Sequence, residues 1–335
     1  MRGARPVGGK VRAVSDLCEI WDDGKLDWVV EGGVRKVRCR LVARLPMLQP
    51  AEVIVAATAT VDGRVAVLAT PRAASPGQYH SASVYAHDGD LTWWPIELTG
   101  PAVGHSVLDL LPGGEILVVG SRSQRFRDGT VEDNAHVFDP GGAHLRSFCL
   151  GDGIERIGVD SAGTIWVGYF DEGVFGNLGW DDPMGAAGLV RFDDHGHRLW
   201  GYQSPAGVGE VADCHALNVD AGTTWAYYYP DFPLVQISNG RVRAYTPTPV
   251  RGARHVLTYR DEVIFVGEYD DPLRLADCRI TGTALTYLGQ AVLYDPEDNP
   301  LHLYRPTTTR GSRLWLQSDD HILLADLADD YNRGQ

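Results

Sequence analysis

The sequence predicts an all-β protein in which one four-stranded unit repeats around a common centre. The clearest unit contains a hairpin in which Val159 ends a strand, 160–163 form a turn, and 164–170 supply β-branched and aromatic residues. Similar hairpins recur along the chain, and 39 glycines and 19 prolines suit many tight turns. Self-similar hairpins at this spacing are typical of radial β arrays.

Each predicted unit pairs an inner hairpin with an outer one. The predicted units span 51–100, 105–150, 152–204, 211–249, 253–306 and 311–327. The last unit holds a single hairpin, and we expect the N-terminal hairpin at 26–45 to complete it, which would remove exposed sheet edges. The sequence therefore predicts a six-bladed β-propeller with four-stranded blades, forming one domain over 25–330 behind an arm at 1–24.

The long insertions of this sequence fall between the second and third strands of the predicted blades. Inner turns are short and lie near positions 62, 112, 160, 220, 261 and 319, whereas the insertions cover 70–81, 121–134, 171–187 and 270–290. Because strands alternate in direction within a blade, these insertions share a face with the starts of the inner strands. Loops on a rigid scaffold are common binding sites, so we expect the functional surface on that face.

Composition narrows the partners and the compartment. A formal charge of −14 disfavours nucleic acid, although residues 1–44 carry ten Lys/Arg against six Asp/Glu, which fits a solvated basic arm. No apolar run approaches membrane-spanning length, so we expect a cytoplasmic protein without a membrane partner, and the oligomeric state stays open. An odd number of cysteines without a CxxC pair predicts reduced thiols at Cys18, Cys39, Cys149, Cys214 and Cys278.

Four polar residues are predicted to ring one end of the central channel. Aligning the inner turns places Glu155, His215 and His255 at one level near the strand starts, with His105 offset by one residue. Imidazoles and a carboxylate from different blades could hold Ca²⁺, Mg²⁺ or Zn²⁺, or act as acid and base. Alternatively, each side chain is hydrogen-bonded to backbone or water at the rim.

Two insertions supply candidate ligand-binding residues. The segment 171–180 combines acids, glycines and aromatic residues, and its candidates are Asp171, Glu172, Asn177 and Trp180. Their oxygens could bind a cation, or the segment could be a packed loop. The insertion 121–134 adds Arg125, a fork for carboxylate or phosphate, and ends at a further candidate, Asn134. Arginines in such mixed segments also commonly pair with neighbouring acids.

Aromatic residues at the end of one strand could line a ligand. Tyr227, Tyr228, Tyr229 and Phe232 follow one another beside Asp231, although aromatic residues that alternate along a strand usually pack between blades. The chain contains no GxSxG, HExxH, GxGxxG or P-loop motif. A nucleophile elbow and a nucleotide cradle are therefore not predicted.

The stretch GDGIERIGVDSAGTIWVGYFDEG (151–173), followed by GLVRFDDHG (188–196), resembles the six-bladed propellers of the gluconolactonase and senescence-marker family. Similar repeats occur in virginiamycin B lyase and in TolB-like and NHL-repeat propellers. The resemblance implies the propeller fold. It also implies that Asp152, the aspartate of the DG pair, is a ligand of a divalent metal.

Two classes of function follow from these observations. The first is a binding module whose loops recognise a small molecule or a protein. The second is a metal-dependent hydrolase or lyase acting on a lactone-type or ester-type substrate. In the second hypothesis Asp152 and Glu155 hold the metal, and the catalytic residues are His105, His215 and His255.

Overall fold

The computed structural model describes residues 34–72, 81–87, 93–100 and 106–333. These residues form the predicted all-β fold, and they also contain two short helices, at 171–175 and 327–333, that were not predicted. The predicted arm at 1–24, the strand at 26–30 and much of the insertion at 70–81 lie outside the described residues.

The strands begin with β1 (Arg35–Arg44), β2 (Glu52–Ala59), β3 (Val65–Pro71), β4 (Ala82–His87), β5 (Trp94–Leu98), β6 (Ser106–Leu110), β7 (Ile116–Gly120), β8 (Ala135–Phe138), β9 (His144–Phe148), β10 (Ile154–Val159), β11 (Ile165–Tyr169), β12 (Leu189–Phe192) and β13 (Arg198–Gly201). They continue with β14 (Asp213–Val219), β15 (Thr224–Tyr229), β16 (Leu234–Ser238), β17 (Arg241–Thr246), β18 (His255–Tyr259), β19 (Glu262–Val266), β20 (Leu275–Thr281), β21 (Ala284–Tyr294), β22 (Arg305–Arg310), β23 (Arg313–Ser318) and β24 (His321–Asp326). The helices are α1 (Asp171–Phe175) and α2 (Leu327–Arg333).

Most strands form antiparallel sheets in simple chain order. Four sheets have four strands each, namely β2 to β5, β6 to β9, β10 to β13 and β14 to β17. The remaining strands form one eight-stranded sheet in the order β18-β19-β20-β21-β1-β24-β23-β22. That sheet has two four-stranded halves, which meet where β1 runs parallel to β21.

Strand β1 explains why the two halves are continuous. Its second part pairs antiparallel with β24, with Cys39 opposite Ala325. Its first part pairs parallel with β21, with Arg35 opposite Ala291. The prediction that the N-terminal segment completes the last group of strands is confirmed for β1. The predicted separation of that group from its neighbour is wrong, because β1 is long enough to pair on both sides.

The strand assignment after residue 270 requires correction. The predicted insertion at 270–290 contains β20 and most of β21. These strands are joined by a turn at Gly282 and Thr283, and they form the outer hairpin that was predicted at 291–304. The innermost strand of the last group is β22, so the segment 313–327 supplies its second and third strands. The inner turn is at Gly311 rather than near 319. A register shift at Asp277 and the length of β21 obscured the period-two pattern.

The first strands of these groups surround a central axis. Contacts run from β2 to β6, β10, β14, β18 and β22 in turn, and β22 returns to β2. Apolar clusters fill the spaces between neighbouring groups. Leu68 and Leu110 share one cluster, Trp166 and Val219 share another, and Ala59 packs with residues of β23 and β24 in a third. Burial between adjacent sheets therefore holds this propeller-like fold together.

The described cysteines are free thiols, as predicted. Burial is the main cause that raises the pKa of Cys39 and of Cys214 to about 12, and nearby acidic groups contribute to the rise for Cys39. Both side chains therefore stay protonated and behave as small apolar groups of the core. Cys18 lies outside the described residues.

Candidate functional site

A polar cavity lies on the central axis, among the first strands of all six groups. Its volume is about 200 Å³, and its lining includes Ile54 of β2 and Thr308 of β22. The ionisable residues that line it are Glu155, Arg156, Arg254, His255 and Arg305. We call this end of the channel, where the first strands begin, the mouth. The opposite end, where those strands finish, is the closed end.

Irregular pairing in the first strands turns side chains toward the mouth. In β2, β10 and β22 the register shifts by one residue, and the residues that skip a partner are Val55, Glu155 and Thr307. All three line the cavity. A β-bulge re-aims the side chains next to it, so this recurrent irregularity determines which groups face the axis.

Two guanidinium groups share one carboxylate at the mouth. Arg254 Nη1 donates to Glu155 Oε1 at 3.0 Å, and Arg156 Nη2 lies 3.5 Å from the same oxygen. Arg156 Nε also donates to the carbonyl of His215, which fixes that side chain across two neighbouring sheets. The Arg254 side chain remains 45% exposed. Arg305 lies exposed at the rim and has no carboxylate partner among the described residues.

The histidines predicted to act at the rim are uncharged near neutral pH. Burial, helped by the charges of Arg156 and Arg254, lowers the pKa of His255 to about 3. Burial and the same two arginines lower the pKa of His215 to about 4. His215 is buried, and its Nε2 lies 3.5 Å from Asp213 Oδ2. The mouth thus contains a net positive charge supplied by arginine rather than by histidine.

A buried ion pair closes the other end of the channel. Arg310 Nη2 donates to Asp109 Oδ2 at 2.6 Å, and Arg310 Nε donates to the carbonyl of Ala59 at 2.8 Å. Its Nη1 reaches the carbonyls of Val159 and Val219. Arg310 is 2% exposed and Asp109 is 1% exposed. One guanidinium therefore ties together the ends of several first strands, and the cavity has a floor.

The predicted metal ligands are occupied by arginines. Both carboxylate oxygens of Asp152 accept hydrogen bonds from Arg122, at 2.9 and 3.0 Å, and one also accepts the backbone N–H of Ser123. The hydrogen bond to Asp152 raises the pKa of Arg122, and Glu172 contributes to the same effect. Glu155 is held by Arg254 and Arg156, as described above. The remaining predicted catalytic residue, His105, lies outside the described residues.

The predicted ligand-binding loops separate into structural and exposed residues. Asn134 is buried, where its amide donates to the carbonyls of Gly120 and Gly151. Trp180 is buried too, and its indole N–H donates to the carbonyl of Ser123. These contacts assign Asn134 and Trp180 to the packing between sheets.

The other four loop candidates lie nearer the surface. Asp171 and Glu172 open helix α1, and a hydrogen bond from Asn177 lowers the pKa of Glu172, helped by Arg122. Asn177 also accepts the N–H of Leu178. Arg125 lies over the Trp180 ring at 5.7 Å. The structure therefore does not gather the loop candidates around one point.

A separate group of metal-ligating atoms lies on the turn between β12 and β13. In the described part of the chain, carboxylate oxygens of Asp193 and Asp194 and a ring nitrogen of His195 come within 4.8 Å of one another. His195 Nδ1 is already hydrogen-bonded to Asp194, and Arg146 Nη2 lies 3.1 Å from the same carboxylate. This turn is remote from the mouth, because it joins the third and fourth strands of its sheet.

The arginines at the mouth are sequence neighbours of the residues that were predicted to act there. Arg156 follows Glu155, and Arg254 precedes His255, but neither arginine was singled out. A charged residue at the start of an otherwise apolar strand was the available signal. Arg310, within the run TTTRG, carried no recognisable signal because its partners come from four other strands.

Comparisons with known proteins give distant structural likenesses only. No protein-family model matches this chain, and no curated protein matches it. Among solved structures it is similar to an inactive virginiamycin B lyase from Staphylococcus aureus with quinupristin, at a TM-score of 0.44 and 11% identity over 85% of this chain and 98% of that one.

Two other solved structures show a similar degree of likeness. A glucose dehydrogenase from Thermus thermophilus gives a TM-score of 0.36 and 14% identity over 88% of this chain and 98% of that one. The extracellular domain of a one-component system from B. thetaiotaomicron gives 0.42 and 12% over 84% of this chain and 39% of that one. At TM-scores below 0.5 these likenesses carry no conclusion about activity.

Fold and site together define an all-β, propeller-like protein with an arginine-lined cavity on its axis. Among the described residues, no helix is both long and apolar enough to cross a membrane.

Proposed function

We propose that this chain is a six-bladed β-propeller binding module that holds a small anion at the channel mouth. The blades are the four four-stranded sheets and the two halves of the eight-stranded sheet, arranged as one domain over 25–330. The anion is a carboxylate or a phosphate, the groups that planar guanidinium donors recognise best. Its carboxylate or phosphate oxygens accept hydrogen bonds from Arg254 and Arg156.

The observation that carries this proposal is the charge of the cavity lining. Three guanidinium groups, those of Arg156, Arg254 and Arg305, face one carboxylate, that of Glu155. His255 adds no charge because its pKa is about 3. The chain as a whole has a net charge of −14, so this concentration of positive charge is a local feature of the mouth. A cleft with one sign of charge attracts ligands of the opposite sign.

The partial burial of the Arg156 guanidinium should strengthen its interaction with a bound anion. Arg156 is held by the His215 carbonyl and needs little rearrangement to present its remaining N–H groups. Burial lowers the pKa of Arg156, while the Glu155 carboxylate opposes this effect, so a second anion would also favour the charged form. The floor formed by Arg310 and Asp109 leaves the mouth as the route of entry.

The metal-dependent alternative has weaker support from these contacts. A divalent cation bound through Glu155 would lie next to two guanidinium groups, and one bound through Asp152 would have to displace Arg122. Both arrangements place like charges within a few ångströms, where repulsion is large. We therefore propose binding rather than metal-assisted hydrolysis.

Isothermal titration with inorganic phosphate and with acetate at low ionic strength tests the proposal. Hydrogen bonds to charged groups contribute about 1.5–3 kcal/mol, so Arg254→Gln should weaken binding by roughly tenfold or more. Arg279→Gln is the matched control, because Arg279 is 48% exposed, pairs with Asp261 and lies outside the cavity lining. Equal affinities for the two variants, or no binding to the wild-type protein, would contradict the proposal.

A further inference from the structure

Two exposed tyrosines stand on an aromatic cluster beside the mouth. Tyr269 is 59% exposed and Tyr229 is 47% exposed, whereas Phe232 and His215 beneath them are buried. The Tyr269 ring centroid lies 5.6 Å from that of His215 and 5.8 Å from that of Phe232. The Tyr229 centroid lies 5.7 Å from Phe232. We call Tyr229 and Tyr269 the aromatic wall.

The buried rings hold the wall in a defined orientation. Tyr269 meets His215 at 88° and Phe232 at 77°, so both contacts are edge-to-face. Such geometry is the preferred one for aromatic pairs, because the positive edge of one ring meets the negative face of the other. Gly252 has a positive φ of 77°, and a Cβ there would approach the Tyr269 ring to 2.7 Å. This glycine therefore makes room for the ring.

The wall adjoins the proposed anion site. The backbone N–H of Arg254 donates to the carbonyl of Val266, three residues before Tyr269. Burial raises the pKa of Tyr269, and among the nearby charges Asp213 raises it while Arg254 lowers it. The phenol thus lies within electrostatic range of the guanidinium that binds the anion. Of the four residues predicted to form an aromatic wall or to pack between blades, Tyr229 is exposed, whereas Tyr227, Tyr228 and Phe232 are buried.

Asp213 is a carboxylate within electrostatic range of both Tyr269 and Arg254. The pKa of Asp213 is raised, mainly by burial and also by the nearby charge of Asp171. The positive charges of Arg254 and Arg156 oppose this rise. Its Oδ1 atom is buried and accepts no hydrogen bond from the described residues. Because two arginines face it, Asp213 does not reverse the positive charge of the mouth.

We propose that the anion held at the mouth carries a flat aromatic ring, as an aryl carboxylate does. The carboxylate binds Arg254 and Arg156, and the ring lies against Tyr269 and Tyr229. This inference rests on the proposed function, and it adds the class of ligand. A rigid tyrosine that leaves one face open supplies apolar contact area at a low cost in side-chain entropy.

Paired titrations with benzoate and acetate test this assignment. The two anions share the carboxylate and differ in the ring, so benzoate should bind about three- to tenfold more tightly. Tyr269→Leu should abolish that difference, whereas Tyr269→Phe should preserve it because the ring remains. Phe126→Leu is the control, since Phe126 is exposed on a loop of another sheet. A thermal midpoint for each variant establishes that it is folded.

The results of these titrations distinguish the aryl-carboxylate hypothesis from the more general hypothesis of an anion site at the mouth. A preference for benzoate that Tyr269→Leu removes and Tyr269→Phe retains supports the aryl carboxylate. Equal affinities for benzoate and acetate, both weakened by Arg254→Gln, overturn the aromatic class and leave the anion site standing. Failure of benzoate, acetate and phosphate to bind overturns both.

Discussion

The two ends of the central channel use arginine in opposite ways. At the closed end, Arg310 is 2% exposed, and its donors reach a carboxylate and backbone carbonyls of four other strands. At the mouth, Arg254 is 45% exposed and shares Glu155 with Arg156. A buried guanidinium that has a fixed acceptor at each of its three nitrogens holds strands together. A partly exposed guanidinium that still has N–H groups facing a cavity is able to bind a ligand.

The largest expected effect comes from breaking the tie at the closed end. Arg310→Met leaves the Asp109 carboxylate buried without a cation, which should lower the free energy of unfolding by about 3–5 kcal/mol. Urea denaturation measures the loss. Arg254→Gln breaks a partly exposed pair and should cost less than about 1 kcal/mol. Equal losses for the two variants would remove the distinction between the ends.

Crowding the closed end should have the next largest effect. A Cβ on Gly158 would lie 2.7 Å from Val219 Cγ2 and 3.1 Å from Arg310 Nη1, so Gly158→Ala should destabilise the fold by about 1–3 kcal/mol. Gly222→Ala is the matched control, because a Cβ there would meet nothing within 4 Å. Similar urea midpoints for both variants would show that the contacts of Arg310 at the closed end tolerate rearrangement.

Acidification should destabilise the mouth. His255 and His215 have folded-state pKa values of about 3 and 4, below the ordinary 6.5, so the unfolded chain binds more protons between those limits. The free energy of unfolding should therefore fall as pH drops below about 6.5, by at most about 1.4 kcal/mol per pH unit for each histidine. Urea midpoints across pH 4–7 test this. If the free energy of unfolding of His255→Asn depends on pH as steeply as that of the wild-type protein, the low pKa of His255 is contradicted.

The smallest expected effect is a gain in anion affinity at the mouth. Among the described residues, Glu155 supplies the one carboxylate that lines the cavity, so Glu155→Gln should favour phosphate binding by about 1 kcal/mol, or fivefold, at low salt. The gain should shrink at high ionic strength because salt screens partly exposed charges. Glu297→Gln, an exposed change of the same charge, should leave the affinity unaltered. If both variants gain the same phosphate affinity, the gain results from the change in net charge and not from the position of Glu155.

Local patterns were sufficient to predict the β fold because each hairpin is coded by adjacent residues. Turns such as 160–163 and the alternating strands beside them appear in the structure as predicted. The assignment failed where pairing is irregular or distant. Bulged β20 and long β21 were taken for an insertion, and β1 pairs with two strands some 250–290 positions further along the chain.

The site was predicted only in part, because some of its residues are positioned by irregular or distant strand pairing. The sequence placed Glu155 and His255 at the channel rim, where the structure also places them. It missed Arg254 and Arg156, because the facing of a side chain beside a bulge depends on the register of the partner strand. The family resemblance assigned Asp152 to a metal, whereas the structure pairs Asp152 with Arg122, which lies thirty positions earlier in the chain.

The most direct test of the account is a crystal structure of the protein soaked in selenate, with the anion located by its anomalous signal. We expect a selenium peak in the cavity, with selenate oxygens within hydrogen-bonding distance of the Arg254 and Arg156 guanidinium groups, and no peak at the closed end. Peaks confined to other surfaces, with water at the mouth, would contradict the central claim that these arginines form an anion site.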